Sequence, residues 1–289
     1  MGLEIILKAF LKRITILATR MEIDTSEVFA TIPMLRGVWG AALHELDRDI
    51  YSKVFADDGE ETNNKIPGYT LRPTTPSNDG FPAIEQILIG DAVNHYDALI
   101  SAWNMASQMG LGKKRIPFTI RKTHFLGCDG RLSSAENSKS GWILGNAVWP
   151  IEGDPKTAPC RLLFNAPVRI LRKKLLVESP SLSDIVSSAS RRVAYYLPPD
   201  ASAIFTDIKP ALIYTSKQVI TGDGKWERLD LVRYSGSQKR ELDIYGVAGY
   251  LNLPHGPGEL WPLLAAASWI HVGKATIFGL GHLRVEKLD

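Results

Sequence analysis

The pattern of apolar side chains in the N-terminal half predicts alternating strands and helices. Ile14, Ile16 and Ala18 fall at every second position, as in a β-strand with one buried face. Further along, apolar side chains recur at spacings of three and four, as on one face of a helix. The predicted elements are strand 12–23, helix 33–47, strands 69–71 and 84–89, helix 91–109 and strand 116–120. Their order is β-α-β-β-α-β.

The C-terminal half repeats this order of elements without repeating the residues. A Gly- and Pro-rich interval at 145–159 is typical of a linker. The elements predicted after it are a strand or hairpin at 161–177, helix 182–197, strands 226–234 and 242–253, helix 259–270 and a closing segment at 275–287. We therefore predict an α+β protein of two tandem ferredoxin-like (βαββαβ, RRM-like) domains, at 1–155 and 156–289. The open sheet face of such a domain is a common platform for RNA.

Composition excludes several classes of protein. With 45% hydrophobic and 22% charged residues, the chain can build a core, which excludes a mainly disordered protein. No apolar run approaches the roughly 18 residues of a membrane span, so we expect no membrane partner and a cytoplasmic location. Cys128 and Cys160 form no CxxC or Cys/His pattern, which argues against a disulfide framework and a structural zinc site.

Basic side chains are clustered, although the net charge is only +3. One cluster consists of Lys113, Lys114, Arg115, Arg121 and Lys122. Such local patches are typical of nucleic-acid contacts, but a run of charges can equally be an ordinary solvated face. The charge pattern alone leaves both interpretations open.

The segment from His271 to Gly281, which we call the glycine-rich loop, carries the most specific pattern. It contains Gly-Lys, but a phosphate-binding P-loop also needs Gly at 268 and Ser or Thr at 275, where the chain has Ser268 and Ala275. An NTPase site is therefore excluded. Two interpretations remain, a loop whose amides approach a phosphate beside Lys274 and a tight turn that requires positive φ.

The glycine-rich loop resembles the C-terminal signature of the CRISPR repeat-processing endoribonucleases of the repeat-associated (RAMP) superfamily. Further segments resemble this family in order and spacing: the Leu-Arg-Gly-x-x-Gly helix start at 35–43, the segment 51–55, the Gly-x-Gly at 110–112, Arg191-Arg192 and the Gly-x-x-Gly at 246–249. The resemblance spans about residues 12–287. The chain departs from it at 47–55, where many relatives carry a cysteine pair.

The resemblance implies cleavage of precursor CRISPR RNA within its repeat, with no metal or other cofactor. The 2′-hydroxyl of the substrate attacks the phosphorus and leaves a 2′,3′-cyclic phosphate, which requires a base, an acid and positive charge. The family's catalytic histidine corresponds in position to His44, on a helix face with Gly37, Gly40 and other small residues that would admit an RNA backbone. A packed or solvated histidine is the alternative interpretation.

Further site residues follow from the same resemblance and from the basic clusters. Tyr51 and Lys53 are expected to assist His44, since relatives fill this site with Tyr, Lys or Arg. The residues expected to contact RNA are Arg36, Lys113, Lys114, Arg115, Arg121, Lys122, Arg191, Arg192, Gly273, Lys274, Gly279 and Gly281. In particular, Arg191 and Arg192 lie off the apolar stripe of their helix, so we expect both to face solvent or RNA.

The implied partners are CRISPR repeat RNA, as precursor and as mature guide RNA, and other CRISPR effector subunits. Two alternatives stay open. A non-catalytic RAMP subunit that binds guide RNA inside a CRISPR effector complex would share the fold and the glycine-rich loop. A general single-strand RNA-binding protein would explain the basic clusters but not the ordered motifs.

Overall fold

The computed structural model describes residues 2–25, 30–55, 66–76, 79–133, 139–235 and 240–288. Of the described residues within 231–244, it describes the backbone but not the side chains. The α-helices in these residues are α1 (Leu3–Leu11), α2 (Ile32–Leu46), α3 (Arg48–Val54), α4 (Tyr96–Met109), α5 (Leu182–Tyr196), α6 (Pro199–Asp207), α7 (Lys209–Gln218) and α8 (Trp261–Ile270). The strands are β1 (Thr15–Asp24), β2 (Tyr69–Thr74), β3 (Ala83–Ile89), β4 (Thr119–Leu126), β5 (Leu132–Ser133), β6 (Trp142–Ile143), β7 (Cys160–Val168), β8 (Leu171–Arg172), β9 (Leu175–Leu176), β10 (Gly224–Ser235), β11 (Arg240–Leu253) and β12 (Arg284–Lys287).

The chain forms two compact units, each assembled from separate stretches of sequence. The N-terminal unit comprises Thr15–Trp142 and Ile277–Gly279. The C-terminal unit comprises Met1–Ile14, Ile143–Thr276 and Leu280–Asp289. These units are defined by their packing, whereas the predicted domains at 1–155 and 156–289 are defined by independent folding. The predicted domain boundary at residue 155 therefore stays a prediction.

The N-terminal unit has the strand order of a ferredoxin-like sheet. Its strands run β2-β3-β1-β4-β5, and each neighbouring pair is antiparallel, with Thr19 of β1 opposite Gln86 of β3. Helices α2 and α4 pack together through Trp39 and Trp103, whose rings stack with centroids 5.1 Å apart. The Trp39 indole N–H also donates to the Leu99 carbonyl at 3.0 Å, so this buried ring keeps its polar atom satisfied.

The C-terminal unit repeats the same topology. Its main sheet has the order β10-β11-β7-β12, again antiparallel throughout, with helices α5 and α8 in the two crossover positions. Helix α5 starts at a capping box, in which Ser181 and Asp184 satisfy each other's backbone N–H groups. The predicted α+β class with two ferredoxin-like repeats is confirmed.

Several elements differ from the sequence prediction. The strand expected at 116–120 begins only at Thr119, because residues 111–116 form a tight turn closed by hydrogen bonds between Leu111 and Ile116. Helices α1, α3, α6 and α7 were not predicted. The interval expected to be a linker contains the buried Trp149, whose ring lies 6.3 Å from that of Trp261.

Candidate functional site

Helices α2 and α3 are joined by a single residue, which fixes the angle between them. Helix α2 is capped by Thr31, whose hydroxyl accepts from the Met34 N–H at 3.4 Å, and it ends at Leu46. Asp47 then takes an extended conformation, and its carboxylate accepts from the Ile50 N–H at 2.9 Å to start α3. The bend at Asp47 turns α3 back, so that its side chains lie beside the end of α2.

This bend brings His44 and Tyr51 together. Their rings meet edge to face, with centroids 5.1 Å apart and an interplanar angle of 88°. His44 is exposed and Tyr51 is half-buried, on the side of α2 where Gly37 and Ala41 are also exposed. Two groups that can exchange protons therefore lie side by side at an open surface, which suits acid–base work on a bound substrate.

Lys53 is exposed on α3 but is not part of this pair. Side chains two positions apart point to different sides of a helix, so Lys53 and Tyr51 face different ways. Gly40 also differs from the expectation. It is buried, and the ring of Phe55 fills the space beside it, so Gly40 does not open a path for RNA.

Arg36 is engaged by aromatic residues. Its Nε–H donates to the Tyr69 hydroxyl at 3.0 Å. Its guanidinium also lies over the rings of Phe55 and Phe278, 5.3 and 5.1 Å from their centroids. Arg36 therefore holds the part of the glycine-rich loop that belongs to the N-terminal unit. Within that part, Gly279 takes a φ of +85°.

Three residues of the basic cluster are presented by a tight turn. Lys113, Lys114 and Arg115 are all exposed. The turn needs glycine at Gly110, where φ is +75° and a Cβ would lie 2.3 Å from the Arg115 carbonyl oxygen. The Gly-x-Gly motif noted in the sequence thus shapes this turn, and three cations are displayed at its tip.

Arg121 and Lys122 on β4 are exposed cations with carboxylate partners. The Arg121 guanidinium bonds to Asp24 at 2.8 Å and lies over the Phe81 ring, and Lys122 lies 3.3 Å from Asp79. Surface ion pairs of this kind are worth about 0–1 kcal/mol. A phosphate chain could therefore displace the carboxylates at little cost.

The two neighbouring arginines of α5 have opposite environments. Arg191 is exposed, whereas Arg192 is only 4% exposed. The Arg192 Nε–H donates to the Ile270 carbonyl at 2.8 Å, and its Nη2 donates to the Tyr196 hydroxyl at 3.0 Å. The expectation that Arg192 faces solvent is wrong, because its guanidinium caps the C-terminal end of α8, where the glycine-rich loop begins.

The glycine-rich loop is held by its own backbone. Three of its amides donate to acceptors in the C-terminal unit: Gly273 to the Ser188 hydroxyl (2.9 Å), Lys274 to the Arg169 carbonyl (2.8 Å) and Gly281 to the Pro167 carbonyl (2.8 Å). Gly281 has a φ of +70°, and a Cβ there would lie 1.8 Å from the Val272 carbonyl oxygen. The tight-turn interpretation fits Gly281, and the exposed side chain of Lys274 is the part of the loop that can reach a phosphate.

The sequence reasoning missed the aromatic side chains that support the site. Phe55, Tyr69 and Phe278 surround Arg36, and Phe55 also stacks on Tyr51 with centroids 5.1 Å apart. The spacing of four between Tyr51 and Phe55 was a usable signal, since such pairs are neighbours on a helix surface. The contacts of Tyr69 and Phe278 join distant parts of the sequence and had no local signal.

No helix among the described residues is long and apolar enough to cross a bilayer. Across those same ranges, no three His, Cys, Asp or Glu side chains are grouped so that they could hold a metal ion.

Comparison with known proteins identifies what the chain is similar to. The family model of the CRISPR-associated endoribonuclease Cas6 matches residues 162–283, and a model of an N-terminal domain matches residues 31–138. Comparison with curated protein sequences gives no match.

Solved structures resemble nearly the whole chain. A Cas6 product complex has a TM-score of 0.62 at 14% identity, over 95% of this chain and 99% of that chain. Thermus thermophilus Cas6 gives 0.56 at 15% identity, over 94% and 99%. A partial Cas6-RT-Cas1–Cas2 complex gives 0.52 at 13% identity, over 95% of this chain and 46% of that chain. At these identities the likeness shows a shared fold.

Proposed function

We propose that this chain is a CRISPR-associated endoribonuclease of the Cas6 family, whose model matches residues 162–283, and that it cleaves precursor CRISPR RNA within the repeat to release mature guide RNA. The observation that carries the proposal is the pairing of His44 with Tyr51 at an exposed surface of the N-terminal unit. A proton-exchanging pair at an open surface is what RNA cleavage by the substrate's own 2′-hydroxyl requires.

In this reaction the bond from the 2′-oxygen to phosphorus forms while the bond to the 5′-oxygen breaks. The neutral imidazole of His44 accepts the proton of the 2′-hydroxyl, and the phenol of Tyr51 donates a proton to the departing 5′-oxygen. A phenol suits the acid role, because it carries a proton that it can pass to the departing oxygen. The products are a 2′,3′-cyclic phosphate and a 5′-hydroxyl. No metal or other cofactor takes part. An assisting role for Lys53, which faces a different way from Tyr51, stays a prediction.

RNA binding is assigned to the exposed cations. The turn at Lys113, Lys114 and Arg115 and the side chains of Arg191 and Lys274 contact the phosphate chain, as do Arg121 and Lys122 once their carboxylates are displaced. Arg36, Gly273, Gly279 and Gly281 contribute by fixing the surface that the RNA meets. The proposed partners are CRISPR repeat RNA and other CRISPR proteins, in the cytoplasm.

A second candidate function is a non-catalytic RAMP subunit that caps guide RNA in an effector complex. Such a subunit would use the same fold and the same turn at Lys113, Lys114 and Arg115. The edge-to-face contact between His44 and Tyr51 favours the enzyme, because a capping subunit has no need of a proton-exchanging pair.

The mechanism is tested with the repeat RNA of the CRISPR array from the same genome. The protein is incubated with this RNA in EDTA, once with the normal 2′-hydroxyl and once with a 2′-deoxy nucleotide at the cut site. We expect cleavage of the normal RNA only, with a cyclic phosphate end. Cutting of the deoxy substrate, or a strict need for magnesium, would rule out 2′-hydroxyl attack.

The site is tested by substitution of His44. We expect His44→Ala to keep the fold and the RNA affinity and to slow single-turnover cleavage on the order of 10²-fold or more, the scale for losing a general acid or base. His255→Ala is the matched control, because His255 is an exposed histidine in a turn of the C-terminal unit. A wild-type rate for His44→Ala, with repeat RNA bound normally, would remove His44 from the mechanism.

A further inference from the structure

We propose that Gly40 and Phe55 are positioning residues for the cleavage reaction. Gly40 leaves the space that the Phe55 ring occupies, and Phe55 in turn holds the ring of Tyr51 beside His44. This inference rests on the proposed function, since it assigns these two residues a role in that same site. Neither residue touches the reacting atoms.

The two glycines of the Leu-Arg-Gly-x-x-Gly motif have different surroundings. A Cβ added at Gly37 would meet nothing within 4 Å. A Cβ added at Gly40 would lie 2.8 Å from Cε1 of Phe55 and 3.3 Å from its Cδ1, closer than an ordinary contact of 3.4 Å or more. Neither glycine needs an unusual backbone, because both lie inside α2. Glycine is therefore needed at position 40 because the Phe55 ring occupies the space that a Cβ would take.

Phe55 has little room to yield. Its side chain is 1% exposed, and its ring lies 4.7 Å from both the Trp39 and the Tyr69 rings. On another side it stacks on Tyr51 at an interplanar angle of 15°. A methyl group at Gly40 pushes on a ring that is enclosed by large aromatic neighbours, and the half-buried Tyr51 is the neighbour nearest the surface. The displacement is therefore passed to Tyr51.

A small displacement of Tyr51 has a large effect on rate. Its contact with His44 is a single edge-to-face approach, and misplacement of a catalytic group by about 1 Å can cost on the order of 10²-fold. We expect Gly40→Ala to lower kcat by roughly 10- to 100-fold, with KM and repeat RNA affinity unchanged. The cations assigned to the phosphate chain lie on other elements, so their contacts are kept. Arg36 lies over the Phe55 ring, but its hydrogen bond to the Tyr69 hydroxyl holds its guanidinium in place.

The test compares Gly40→Ala with Gly37→Ala in the full chain. Both substitutions bring the same gain in helix propensity. A difference between the two variants in the measured signal or rate therefore reports the contact with Phe55. The first measurement is the NMR signal of ¹³C-labelled histidine at position 44, which is sensitive to the ring of Tyr51. We expect Gly37→Ala to leave the His44 signal in place and Gly40→Ala to shift it.

A second pair of variants separates positioning from folding. In Gly40→Ala/Phe55→Leu the smaller side chain removes the clash, so resistance to urea returns toward that of Phe55→Leu alone. We expect kcat to stay low in both variants, because Tyr51 has lost the flat ring against which it stacks. Recovery of the wild-type kcat in the double variant would show that Phe55 only fills space and would overturn the proposal.

The outcomes distinguish this inference from the function on which it rests. If the wild-type protein does not cleave repeat RNA, the proposed function fails. The His44 signal still shows whether Gly40 and Phe55 determine the arrangement of the His44 and Tyr51 rings. If Gly40→Ala keeps the wild-type kcat and the wild-type His44 signal, the positioning role is refuted even though cleavage is established.

Discussion

Replacing Arg192 by Ala should unfold the protein more easily, whereas replacing its neighbour Arg191 should not. Truncation of Arg192 removes two hydrogen bonds from a charged donor and leaves the carbonyl of Ile270, a residue with no exposed surface, without that donor. An unsatisfied buried group costs about 1–3 kcal/mol, and the cavity left by the long side chain adds to it. We therefore expect a loss of about 3–5 kcal/mol in the free energy of unfolding.

Urea titration and thermal unfolding measure this loss. For a unit of this size we expect the melting temperature to fall by roughly 10 °C, since each kcal/mol is worth about 2–4 °C. Arg191→Ala is the matched control. Because Arg191 is exposed, it should change stability by less than about 0.5 kcal/mol and weaken RNA binding mainly at low salt. The reasoning is refuted if Arg192→Ala melts like the wild type and loses RNA affinity instead.

Two further predictions concern the turn at Lys113, Lys114 and Arg115 and the two cysteines. Replacing Lys113, Lys114 and Arg115 by Ala together should reduce the slope of log affinity for repeat RNA against log salt by up to about 2, measured by binding isotherms; an unchanged slope would assign them to a solvated face. Burial raises the pKa of the Cys160 thiol to about 12, so at pH 8 a thiol reagent should modify the half-buried Cys128 and reach Cys160 only after denaturation. Rapid modification of two thiols in the native protein would contradict this.

The order of the elements could be predicted because it is encoded by local periodicity. The alternation at Ile14, Ile16 and Ala18 and the stripe through Leu35, Trp39 and neighbouring positions reflect the geometry of a strand and a helix within a few residues. The topology followed from the order of elements, and the structure has it in both units. Helices α6 and α7 were missed because they stand outside the repeated order between α5 and β10.

The surroundings of single side chains could not be predicted in the same way. Arg191 and Arg192 are adjacent and identical in type, but only the latter meets the Ile270 carbonyl, 78 residues away in sequence. Likewise, the sequence pattern predicts that Gly37 and Gly40 are both small residues on an open helix face. One is exposed, and the other is covered by Phe55 because the bend at Asp47 brings α3 over it. Both distinctions arise from tertiary packing, which the local pattern does not contain.

The placement of residues 277–279 in the N-terminal unit has a consequence for synthesis of the chain on the ribosome. Ile277 belongs to the buried core of that unit, although the rest of the unit is complete at Trp142. At about 5–20 residues per second, the ribosome needs on the order of ten seconds more to reach Ile277. During that interval the nascent N-terminal unit has an incomplete core, so a premature stop codon anywhere before Ile277 damages the unit that was translated first.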